Sequence, residues 1–181
     1  MGKITVHEFS SLDGVVESPS WTAEYGFTEK MGETIGALTG AASGILLGRV
    51  THEMFEPAWS VRTAEEDPGA PFFNDTTKYV VSSTMTDPTW RNTEVIGGYD
   101  ADRIRALKES ADGDLFVSGS ITLVRGMLAD GLVDELHLFV FPLALGSGLR
   151  LFPDGGPQTK LALLSSESFE NGVLHLVYGP A

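Results

Sequence analysis

Three short stretches of this chain are rich in hydroxyl, basic or glycine residues: Gly48-Arg49-Val50-Thr51, Ser82-Ser83-Thr84 and Ser118-Gly119-Ser120. Each follows an apolar run of strand character, and the first and third lead into helical patterns. Helix N-termini carry unpaired N–H groups that suit phosphate oxygens. Glycine lets a ligand approach the backbone, Ser and Thr add neutral hydrogen bonds, and Arg49 adds a fixed positive charge. Taken singly, each stretch reads equally as ordinary turn chemistry. Together they fall at one end of neighbouring expected strands, where open α/β sheets gather ligands.

Other groups are read on their own merits. Asp13, in Ser11-Leu12-Asp13-Gly14, is either a substrate-side carboxylate able to pass a proton through water or the side chain of an Asx turn. Trp21 either walls a substrate pocket or is a core aromatic. His7, His137 and His175 lie in expected strands and His52 in a short helix, without metal-ligand spacing, so no metal is expected. The chain has no cysteine, which removes disulfides, thiolate metal sites and a Cys nucleophile. Asn74-Asp75-Thr76 matches a glycosylation triplet but has no secretory signal beside it.

Several elements must position these groups. Residues 3–9 alternate as a strand and run into the turn at 10–14. Thr22 is read as the cap of a helix carrying Phe27, Met31, Ile35 and Leu38 inward. Residues 43–48 form a buried strand, and 49–55 a short helix closed by Pro57. The segment 57–75, with three prolines and the acidic run Glu65-Glu66-Asp67, reads as a long surface excursion far from the glycine turns. Strands follow at 79–81, 95–96 and 115–117, with a helix between the last two capped by Asp100. A helix after Ser120 buries Leu123, Val124, Met127 and Leu128 and ends at Gly131. Residues 136–141 form an apolar strand, and Asn171-Gly172 marks a closing hairpin. The pattern predicts one α/β domain over 1–181: a mixed sheet with a largely parallel centre, an antiparallel C-terminal edge and helices on both faces.

Composition bounds the function. Of 181 residues, 42% are hydrophobic and 20% charged, enough for a sizeable core. With 12 basic and 25 acidic residues the net charge is −13, which opposes binding to nucleic acid or an anionic membrane. No apolar run approaches the roughly 18 residues of a membrane span. A soluble, cytoplasmic domain acting on a small molecule is expected.

At the level of motifs the chain resembles the dihydrofolate reductase fold, and above all the reductase domain of bacterial riboflavin-biosynthesis proteins. The carriers are Ser11-Leu12-Asp13-Gly14, Ser18-Pro19-Ser20-Trp21-Thr22, the run Ile45 to Thr51, Val80-Val81-Ser82 and Phe116 to Ser120. Leu132 to Leu136 and Pro142 to Gly148 with Leu151-Phe152 complete the order. The resemblance implies an NADPH-dependent reductase acting on a pterin-like or aminouracil ribityl compound, and it is compatible with a homodimer. It implies that Gly48, Arg49 and Thr51 face the 2′-phosphate and pyrophosphate, and that Ser82 and Ser83 flank the adenosine half. Ser118, Gly119, Ser120, Thr122 and Leu123 would meet the pyrophosphate, and Gly146 the nicotinamide end. Two departures stand out. Gly26 occupies the place where folate-reducing enzymes carry an acid, and Ser118-Gly119-Ser120 replaces an acid followed by two glycines. The rival reading is a non-catalytic nucleotide sensor or docking protein that keeps the fold.

Overall fold

The computed structural model describes residues 2–181. Eight strands form one sheet in the order β4-β3-β2-β5-β1-β6-β8-β7. Its parallel part comprises β4 (Thr93–Val95), β3 (Thr77–Val81), β2 (Ala42–Gly48), β5 (Asp114–Ser118), β1 (Ile4–Ser10) and β6 (Glu135–Val140). The antiparallel edge is β8 (Leu174–Pro180) with β7 (Leu161–Ser168). Both halves match the architecture expected from the sequence.

Parallel strands covered on both faces read as unbroken apolar runs. In β2, Ile45, Leu46 and Leu47 are all fully buried. One face packs Ile4, Val6, Leu46, Leu115 and Val117 against α4 (Ala101–Ser110) and α5 (Ile121–Ala129). The other sets Ile45, Leu47, Phe116, Phe139 and Phe141 against α1 (Glu29–Ala41), α2 (Arg49–Trp59) and α3 (Ala70–Asp75). Gly131 ends α5 as expected, at φ +65°, with the Leu132 amide returning to Met127 O at 2.9 Å. The Asn171-Gly172 turn joins β7 to β8, with Gly172 at φ +83°.

Three local expectations are corrected. Thr22 caps no α-helix: Pro19–Tyr25 is a 3₁₀ stretch, Gly26 takes φ +68°, and Thr28 caps α1 through the Met31 amide at 3.2 Å. Pro57 does not close α2, which continues to Trp59, because the proline lies in the last turn where one amide bond is easily spared. The segment 57–75 is not merely a surface excursion. It folds back as α3, burying Ala70, Phe73 and Asn74. The Asn74 side chain donates to Trp59 O and accepts from the Trp90 indole, each at 2.8 Å, so the glycosylation triplet begins on a buried residue. Lys78 on β3 is fully buried and donates to Phe73 O at 2.8 Å and Thr76 O at 3.0 Å, fastening the end of α3 to the sheet.

Candidate functional site

A cleft of about 1620 Å³ opens at the carboxyl ends of β1, β2, β3 and β5. Its edge is built where β2 turns into α2 and β5 into α5. Gly48 precedes α2, and its amide donates to the Ser120 hydroxyl oxygen at 2.9 Å; the Ser120 amide donates in turn to Thr51 Oγ1 at 2.9 Å. These reciprocal bonds lock the two strand–helix junctions together. Gly119 between them adopts φ +62°, and a Cβ there would approach Thr51 Cγ2 to 3.4 Å. Glycine is therefore favoured by conformation, while the space beside Thr51 would leave a Cβ at ordinary contact distance.

The helices differ in their caps. Thr28 and Asp100 cap α1 and α4 with their own side chains, whereas no side chain caps α2 or α5. The first-turn N–H groups of α2 and α5, which border the cleft, are thus left for a ligand. Arg49 opens α2, with Nη1 2.8 Å from Glu53 one turn later, and remains substantially exposed. Ser82 Oγ accepts from the amides of Thr84 and Met85 at 3.2 and 2.9 Å, which shapes the β3 turn beside the cleft.

Of the residues singled out in the sequence, the structure gathers Gly48, Arg49, Thr51, Ser82, Ser83, Ser118, Gly119, Ser120, Thr122 and Leu123 around this cleft. Asp13, Trp21 and Gly146 lie outside its lining. Asp13 accepts from the Ser11 hydroxyl at 2.6 Å and from the amides of Leu145 and Gly146 at 3.0 and 2.8 Å. These donors hold its carboxyl down at about 2. With Arg150 donating to Asp13 O at 2.8 Å, the residue clamps the loop after β6 onto the loop after β1. That second loop continues into Val16, Glu17 and Ser18, which do line the cleft. Trp21 packs edge-on against Phe141, ring centroids 5.5 Å apart, as a partly buried aromatic whose indole Nε1 has no hydrogen-bond partner.

Two groups on β1 are not expected at the site from the sequence: His7 reads there as a plain strand histidine, and Glu8 is not singled out. His7 and Glu8 both border the cleft, and each is almost wholly buried. Glu8 Oε1 has no hydrogen-bond partner, and burial pushes its carboxyl up to about 8. It is therefore protonated at neutral pH. His7 Nδ1 lies 3.3 Å from the Ser118 hydroxyl while Nε2 has no partner. Burial, then the nearby His137 and His175, push the ring down to about 3, so it is neutral. The available signal was topological: a carboxylate in a strand paired on both sides has no solvent to face.

The acidic run is also misplaced by sequence reasoning. Glu66 and Asp67 border the cleft, carried there when α3 folds back. Asp67 accepts from the Gly69 amide at 2.8 Å and Glu66 from the Thr63 amide at 2.9 Å. Among the described residues no helix is long and apolar enough to cross a membrane.

Sheet order, helix placement and the strand-end cleft define an α/β protein of the dihydrofolate reductase-like class. Within that class the chain belongs to the RibD C-terminal domain family, whose model matches residues 2–175. It is 25% identical over 180 residues to the uncharacterized protein YyaP of Bacillus subtilis, covering 93% of this chain and 89% of that one. Among solved structures, a candidate riboflavin biosynthesis protein from Shewanella sp. PV-4 superposes with a TM-score of 0.81 at 21% identity, covering 100% of this chain and 99% of that one. The deaminase/5-amino-6-(5-phosphoribosylamino)uracil reductase of Thermotoga maritima superposes at 0.68 with 15% identity, covering 99% of this chain and 57% of that longer one.

Proposed function

We propose that the protein is an NADPH-dependent reductase of a small heterocyclic substrate, with pterin-like and aminouracil rings as the reference chemistries. One observation carries this reading. The cleft, at about 1620 Å³, exceeds the ~300–1,000 Å³ of a single small-ligand pocket and has two uncapped helix N-termini along one side. It therefore suits a dinucleotide and a second ligand side by side.

The residues present fit such a cofactor. The missing Cβ at Gly119 leaves the backbone open beside Thr51, and the first-turn amides of α5 and α2 suit the pyrophosphate oxygens. Arg49, at the mouth of α2, suits the 2′-phosphate, and Ser83 flanks the adenosine side. A bound dihydronicotinamide supplies a hydride. The chain's own contribution is to orient the ligands, to exclude water with Phe116, Leu123 and Val16, and to hold a proton. In this reading Glu8 is the acid. Its protonated carboxyl, without a protein partner, is free to donate to a heteroatom of the bound ring. Asp13 acts as a positioning residue that steadies the cleft-lining loop.

Trp59 borders the cleft and gives an intrinsic reporter. Titration with NADPH should change tryptophan emission and raise the melting temperature, and NADH should do so more weakly. An absence of any response to NADPH overturns the reading.

A further inference from the structure

A second cavity, of about 360 Å³, lies between α2 and the loop that joins β3 to β4. We propose that it binds a linear aliphatic diamine, and that the bound amine displaces Arg49 from the carboxylate of Glu53. The diamine site stands apart from the reductase reading; only its consequence for NADPH rests on that reading.

One wall is a single face of α2, where Arg49, His52, Glu53 and Glu56 recur at helical spacing. The loop opposite contributes Asp87 and threonine hydroxyls beside the apolar Met85 and Pro88. Glu53 takes Arg49 Nη1 on both oxygens, at 2.9 and 2.8 Å, and Glu56 accepts from the Thr89 hydroxyl. With Asp87 these carboxylates outnumber the one guanidinium of the lining, which is therefore negative. The cations behind this wall are engaged elsewhere. Lys78 Nζ lies 4.4 Å from the Trp90 ring centre and donates to Phe73 O, and Arg91 pairs with Asp75 at 2.5 Å. An acidic lining alone is ordinary surface; His52 is what points to a ligand. It is 1% exposed, its Nε2 lies 3.0 Å from Thr93 Oγ1, and its Nδ1 has no partner. A buried ring nitrogen left idle costs free energy that a ligand can recover. Burial outweighs the nearby Glu56 and Glu53 and lowers the imidazole below its ordinary pKa. The ring is therefore neutral at neutral pH and able to accept an N–H from an ammonium.

The arrangement narrows the ligand further. Among the described residues no three carboxylate or imidazole groups converge as a metal ion requires, so the negative charge is spread along the cavity. A spread field suits two ammonium groups on one flexible chain, with its methylenes against Met85 and Pro88. The volume is that of a single small ligand, at the lower end of ~300–1,000 Å³. Arg49 gives the site a consequence. It borders both the main cleft and this cavity, whereas Glu53 borders the cavity alone. Exposed pairs of this kind are weak, and Arg49 stands at the first residue of α2, where the helix dipole disfavours a cation. An ammonium that takes over Glu53 releases the guanidinium to the cleft edge, where the reductase reading puts the 2′-phosphate. The coupling is reciprocal, so NADPH tightens the amine by the same factor.

Putrescine is titrated into the full chain by calorimetry at fixed ionic strength, beside butanediol and Mg²⁺ as probes of shape and of charge alone. Putrescine should bind saturably, and both controls at least about tenfold more weakly. Glu56→Gln and Asp87→Asn should each weaken putrescine at least about threefold. Asparagine tolerates the φ +51° of Asp87, so that variant keeps the loop. Glu170→Gln, in the exposed turn between β7 and β8 at the far side of the sheet, should change nothing. Saturating putrescine should tighten NADPH about two- to threefold and leave NADH unchanged, and Glu53→Gln should abolish that gain. Absence of saturation, equal binding of butanediol or Mg²⁺, or indifference to both cavity substitutions overturns the proposal. So does an equal loss in Glu170→Gln, which would show mere attraction to a chain of net charge −13. A putrescine site that leaves NADPH affinity unmoved overturns the exchange with Arg49. Failure of NADPH to bind, with putrescine still sensitive to Glu56→Gln, instead overturns the reductase reading and leaves the amine site standing.

Discussion

Replacing Glu8 by glutamine should make the protein more stable at pH 8 than the natural chain, and leave it little changed near pH 5. The carboxyl is 3% exposed, Oε1 has no partner, and burial raises it from 4.5 to about 8. Between those values the folded chain keeps a proton that the unfolded chain releases. Stability therefore falls as pH rises from about 4.5, by about 1.4 kcal/mol per pH unit, and levels off above about 8. At pH 7 the cost of carrying Glu8 is about 3 kcal/mol, and above pH 8 about 5 kcal/mol, upper figures because a buried site relaxes. Glutamine has nearly the same shape and cannot ionise, so that slope should vanish from the variant. Urea unfolding of both proteins from pH 5 to 8.5 measures the difference directly, since all other titrating groups cancel. Two parallel stability curves would refute the reasoning, by showing that Glu8 finds solvent or a cation when folded.

Other expectations concern the cleft edge. Arg49→Ala should weaken NADPH by about tenfold while changing NADH little, because a charge-assisted contact to the 2′-phosphate is lost only from the former; equal losses in parallel titrations count against that contact. Gly119→Ala should lower stability by about 1–2 kcal/mol, since φ +62° disfavours a Cβ, and chemical denaturation measures this. Asp13→Asn should speed amide hydrogen exchange at Leu145 and Gly146, whose N–H groups lose their ionised acceptor. The contribution of Asp13 to stability is present above the unfolded pKa of 3.8 and disappears as pH falls through about 2. Unchanged exchange at those amides would mean the clamp is maintained by Arg150 alone.

The sheet was legible because its strands are buried on both faces. Ile45-Leu46-Leu47 and Leu115-Phe116-Val117 can be read as nothing else once glycine turns bound them, and the turns themselves located the cleft edge. Helix starts were less legible. Thr22 and Thr28 are equally good caps by type, and only the backbone at Gly26 decides between them. The return of residues 57–75 to the cleft was invisible, because it depends on Asn74 and Lys78 reaching carbonyls distant from their own strand or helix. Polar residues that fold a segment inward look in sequence like residues that keep it outside.

The two carboxylates around β1 show why residue type alone could not assign the acid. Asp13 follows the strand in a turn, the usual place for a functional carboxylate, yet three donors converge on it and keep it ionised. Such a group accepts hydrogen bonds and gives up no proton near neutrality. Glu8 lies within the strand, where its side chain looks like an error in an apolar pattern, and its exposed-type chemistry is reversed by the absence of any donor. The two environments push these carboxyls in opposite directions, leaving a fixed anion in the loop after β1 and a held proton at the cleft. The burial of Glu8 opposes folding at neutral pH. Under the proposed function, the destabilising acid in this cleft, beside the neutral ring of His7, holds the proton that the bound ring takes up.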